Sequence, residues 1–122
     1  MNNRMQKIHL VVMACVAASS ACYAPGQGPV ARSGYKICTP AIEALAAYHA
    51  EHSRYPVGLE ELVPRYLSRV PSQKADSRLM SIGYKLHPAD SYELEFRYVG
   101  PGMNYCRYSP TFAAQWKCGG YY

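Results

Sequence analysis

From Ile82 onward the chain reads with a period of two: Ile82, Tyr84 and Leu86 alternate with Gly83 and Lys85. Beyond a turn at His87-Pro88-Ala89-Asp90-Ser91, Tyr92, Leu94, Phe96 and Tyr98 alternate with Glu93, Glu95 and Arg97. Successive strand side chains point to opposite faces of a sheet, so the pattern predicts an antiparallel hairpin with one buried face. Gly100-Pro101-Gly102 ends it, and Tyr105–Tyr108 and Gln115–Cys118 offer two further short strands.

The cover for that face lies upstream. Thr39-Pro40 is a good helix start, because Thr caps free amides and Pro is tolerated in the first turn. Ile42, Leu45 and Tyr48, with Ala41 and His52, recur at helical spacing, while Glu43, Ala47 and Glu51 fall elsewhere. Pro56 disfavours helix at Tyr55 and ends the run. Leu59, Leu62 and Val63 make a short second helical turn up to Pro64, and Val70-Pro71-Ser72 opens a polar loop through Arg78. The expected fold is α+β: one N-terminal helix on a three- to four-stranded antiparallel sheet, occupying residues 35–122.

Arg4 and Lys7 precede a mostly apolar run from Ile8 to Ala18 and the small residues Ser19-Ser20-Ala21. A basic start, a short apolar run and a small-residue exit are the pattern of a secretory signal peptide. The run is shorter than the ~20 residues of a membrane span. Residues 1–21 are therefore expected to direct export, to the periplasm, the outer membrane or the exterior. Ser19-Ser20-Ala21-Cys22 resembles a bacterial lipoprotein signal, which implies a lipid anchor on Cys22 and, with Tyr23 following, outer-membrane sorting. Plain cleavage after Ala21 or Ala24 is the alternative. Residues 22–34, rich in Gly and Pro, read as a flexible tether.

Five cysteines in an exported chain raise the question of pairing. Cys106 and Cys118 bracket a short C-terminal segment, and an oxidising compartment favours a bond between them. Cys38 is then left odd if Cys22 is lipidated, or pairs with Cys22 if that thiol is free. No C-x-x-C is present, so neither a zinc ribbon nor a thioredoxin-like site is indicated.

The stretch A-I-E-A-L-A-A-Y-H-A-E-H-S-R-Y-P-V-G-L-E-E-L-V-P-R-Y-L, followed by G-Y-K-L and Y-E-L-E-F, resembles the headgroup of type II secretion pseudopilins, relatives of type IV pilins. The likeness covers residues 41–98 and is densest at Tyr55, Pro56, Leu59, Leu62, Pro64, Tyr66 and Leu67. It implies that this segment packs beside the helix as structure, and that the protein works by contact with envelope proteins of a secretion or pilus system. A C-terminal disulfide loop is common in pilins, and Cys106 and Cys118 would supply it. The chain lacks the Gly-Phe cleavage point and the Glu of the family's apolar stem, so it is read as a headgroup on an exported or lipid-anchored protein.

Other chemistry finds little footing. His49 and His52 could offer two metal ligands without a third, and they lack the H-E-x-x-H spacing. Glu60 and Glu61 suit a helix start better than acid–base work. Asp90 and Asp76 are too far apart in sequence for a calcium loop. No nucleophile elbow, Walker loop or dinucleotide fingerprint occurs, and Cys38 lacks an assured base. No enzyme, metal or cofactor is therefore expected. The net charge of +5 is scattered, with no nucleic-acid footprint. Tyr105, Tyr108, Phe112, Trp116, Tyr121 and Tyr122 are expected on the core side of short strands rather than as a sticky face. A free-standing lipoprotein that binds a ligand or inhibits a partner is the alternative function.

Overall fold

The computed structural model describes residues 22–113 and 115–121; residues 1–21, expected from the sequence to be a leader, lie outside them, as do Ala114 and Tyr122. Helix α1 spans Gly28–His52. A short 3-10 turn at Leu59–Leu62 follows, then another at Gln73–Ala75. Four strands complete the chain: β1 (Leu79–His87), β2 (Ser91–Val99), β3 (Met103–Tyr108) and β4 (Trp116–Gly119). They form one antiparallel sheet in the order β1-β2-β3-β4. The fold is α+β, with the N-terminal helix packed on a small sheet.

The hairpin forms where the alternation predicts it. Ile82 pairs with Phe96, Tyr84 with Leu94 and Leu86 with Tyr92. Tyr92, Leu94, Phe96 and Tyr98 are all buried against the helix side. On the opposite face, Glu95 accepts from Arg97 at 2.6 Å and also from Arg107. Burial alone would raise the Glu95 carboxyl, but these two guanidinium groups outweigh it and hold the carboxyl below its ordinary value. Strand alternation also divides the C-terminal aromatics. Tyr108 and Trp116 pack on the core, Tyr105 lies under Arg107 at 4.4 Å, and Tyr121 is 69 % exposed.

The helix start differs from the expectation. α1 begins at Gly28, with Pro29 in its first turn, and Pro40 lies inside it. Residues 28–34 are thus helix rather than tether. An interior proline costs about 3 kcal/mol, because it has no N–H for the carbonyl four residues earlier. What outweighs it is tertiary packing of the upstream turns. Ala31, Gly34 and Cys38 are buried, and the Tyr35 ring stands edge-on to Phe96 at 5.4 Å and against Trp116 at 5.1 Å. At roughly 0.8 kcal/mol per buried methylene-sized group, that burial exceeds the proline's cost. Gly34 permits the approach: a Cβ there would meet the Phe96 ring at 2.3 Å.

The segment before the helix is also pinned. Gly26 donates its N–H to the Tyr98 hydroxyl and accepts from the Tyr35 hydroxyl, each at 2.8 Å. Its φ of +84° suits glycine, and a side chain would meet the Cys118 sulfur at 2.6 Å. The Cys106–Cys118 disulfide joins directly opposed residues of β3 and β4. Cys22 and Cys38 are unbonded, one exposed and the other wholly buried in α1, so the alternative bridge between them is not formed.

Candidate functional site

The segment that carries the pseudopilin likeness is a structural strap across the helix and the edge of the sheet. Leu59, Leu62 and Leu67 enter the core. Buried Pro56 accepts a hydrogen bond on its carbonyl from the Tyr84 hydroxyl at 2.7 Å. Tyr55 stacks on His49 at 4.3 Å and meets Tyr92 edge-on at 4.8 Å. Tyr66 packs against Tyr48 and donates its hydroxyl to Glu51, which also takes Arg65 at 2.9 Å. Pro64, exposed, follows a cis peptide bond.

Where this strap leaves the helix, a groove of about 550 Å³ opens between them. Ile37, Pro40 and Ala41 of α1 form one wall. Leu67, Val70 and Pro71 form most of the other, with Arg69 and Lys74 as its charged members. Among the described residues neither cation has a carboxylate within ion-pair distance, whereas Arg54, Arg65, Arg78, Arg97 and Arg107 all do. Pro40, which interrupts the helical hydrogen-bond ladder, thus also lines the groove. The groove therefore offers apolar walls and two positive charges without a carboxylate partner. That suits a partner carrying apolar and acidic groups.

The histidines do not converge. His49 Nε2 lies 2.6 Å from Asp90 at the β1–β2 turn, while His52 stacks on Tyr48 at 4.2 Å. Glu61 accepts from the Val57 N–H at 2.5 Å and from the Tyr48 hydroxyl. Asp76 sits elsewhere, held by the Ser33 hydroxyl at 2.6 Å and by Arg78. Among the described residues no group of three or more His, Cys, Asp or Glu side chains is placed to hold a metal ion. Burial pushes the Cys38 thiol up to about 12, so it is not a thiolate near neutral pH.

The groove was not visible in the sequence, because its walls come from segments far apart in the chain. The upstream half of the helix did leave a signal: Ala31, Gly34, Cys38, Ala41 and Leu45 continue the helical spacing back past Pro40. No protein-family model, curated protein or solved structure matches this chain.

Proposed function

We propose that the chain is an exported, non-enzymatic envelope protein, built like a pilin or pseudopilin headgroup, that acts by protein–protein contact alongside a secretion or pilus-assembly system. The observation that carries this reading is the groove between α1 and the Leu67–Ala75 segment, apolar on both walls and edged by unpaired Arg69 and Lys74. The helix-on-sheet architecture and the closed C-terminal disulfide are in keeping with it. The occupant is an extended or helical partner segment with carboxylates beside apolar side chains, and its acids pair with the two cations as its apolar groups leave water.

The test is co-purification from the native host of the wild-type protein and an Arg69→Glu/Lys74→Glu variant. Both positions are exposed, so folding is retained. An envelope protein recovered with the wild type and lost with the variant supports the reading; recovery of the same set with both contradicts it. The groove's volume also falls within the ~300–1,000 Å³ typical of small-molecule sites, which favours a ligand-binding lipoprotein as the second reading. A small molecule retained by the wild-type protein in native mass spectrometry would select it.

A further inference from the structure

Three segments without a charged side chain meet at the end of the molecule from which α1 starts, beside the Arg78–Asp76 ion pair that precedes β1. Residues 22–31, 99–106 and 118–122 contain no Asp, Glu, Lys, Arg or His, and the described parts of all three meet there. Tyr23, Val30, Val99 and Pro101 line one depression of about 290 Å³. Val99 pairs with Met103 across the β2–β3 turn. Tyr121 donates its N–H to Asn104, which borders the same depression, at 2.8 Å. Tyr23, Val99, Met103 and Tyr121 are all well exposed, at 46, 58, 39 and 69 %. Four large apolar or amphipathic side chains thus stand exposed together on one cap whose own segments bear no charged side chain.

Two further observations say what covers it. First, the first charged residue met on leaving these segments along the chain is basic at every exit: Arg32, Arg97, Arg107 and Lys117. Arg97 and Arg107 share Glu95, while Arg32 and Lys117 have no carboxylate partner among the described residues. Tyrosines on an apolar face behind a basic collar match the layering of a bilayer surface, where aromatic rings sit at headgroup level and cations meet lipid phosphates. Second, Cys22 sits on this cap, and only Ser19–Ala21 separates it from the apolar run Ile8–Ala18. Three residues reach at most about 10 Å.

We propose that this cap docks on a lipid bilayer surface, so that α1 points away from the membrane and the groove faces sideways into the envelope. The proposal rests on the export reading. An anchor at Cys22 or a retained apolar run would hold the cap at the bilayer, and a protein carrying neither would reach it through the cap alone.

The experiment uses the protein as processed by its native host, mixed with phosphatidylcholine–phosphatidylethanolamine vesicles containing a photoreactive phospholipid. Adducts are mapped by peptide mass spectrometry. The expected adducts fall on Tyr23, on the segment from Val99 to Met103 and on Tyr121, with none at Val57 beyond the other end of α1. Val99→Glu/Met103→Glu changes two exposed positions and should lower cap labelling about tenfold, with an unaltered thermal melt. Val57→Glu should leave labelling unchanged. Labelling absent from the cap, spread over the whole surface, or blocked because a second copy or a bound protein covers the cap would each overturn the proposal. Intact mass reports export independently, so failure of docking is distinguishable from failure of the export reading.

Discussion

At the N-terminal end of α1 the contacts are Gly34 against Phe96, Tyr35 against Trp116, and Gly26 beneath a disulfide. At the C-terminal end they are Glu51 with Arg65 and Tyr66, His49 with Asp90, and Glu61 with Arg54 and the Val57 N–H. The first set is close-packed and covalently closed; the second is exposed and ionic. Close packing tolerates no change of volume, while exposed ion pairs contribute little and fade with salt. The helix is therefore anchored at one end and adjustable at the other, and the groove lies between the two regimes.

Truncation at the anchored end should cost most. Phe96→Ala is expected to lose about 3–5 kcal/mol, read from the denaturant midpoint. Removing the disulfide as Cys106→Ser/Cys118→Ser should lose about 3 kcal/mol for a loop of this size, with amide exchange rising first in β4. Gly34→Ala improves helix propensity but drives a methyl into the wholly buried Phe96 ring, and a net loss of about 1–3 kcal/mol is expected from overpacking. If Gly34→Ala stabilised the protein, the close approach would not be what fixes the upstream helix.

The adjustable end should respond weakly, and to different variables. Glu51→Gln is expected to change stability by no more than about 1 kcal/mol, and salt should shrink the difference. Acid should loosen this end as well. The Val57 N–H first, then Gly58, Tyr48 and Arg54, together outweigh the opposing effect of burial and hold the Glu61 carboxyl below its ordinary value. A carboxyl depressed on folding adds stability above its unfolded-state pKa, and that contribution is lost as pH falls through the folded value. Protection of the Val57 amide, read as its exchange relative to the intrinsic rate at each pH, should therefore fall on acidification, and Glu61→Gln should abolish that step. Cys38 provides the smallest effect: with its thiol pushed up to about 12 by burial, it should resist alkylation at neutral pH until the chain unfolds.

The same contrast explains what was legible in the sequence. The hairpin could be read because Tyr92, Leu94, Phe96 and Tyr98 differ from Glu93, Glu95 and Arg97 at every step. The helix end was readable because Pro56 acts locally on Tyr55. The helix start was not, since Pro40 and the Gly- and Pro-rich upstream stretch carry local penalties that only contacts with Phe96 and Trp116 overcome. The candidate site was less legible still. Leu67 was recognised as a motif residue, but its position opposite Ile37 follows from the path of the loop. Arg69 and Lys74 stand out only once Arg65 and Arg78, the arginines flanking them in the chain, are seen to be paired.

Both the contact function and the membrane-docked cap depend on export, so the intact mass of the protein from its native host, before and after reduction and alkylation, tests the account most directly. The account predicts a chain that has lost its leader, with or without acyl groups on Cys22, and a Cys106–Cys118 bond that becomes alkylatable only after reduction. A chain that retains Met1 and yields Cys106 and Cys118 as free thiols would contradict it.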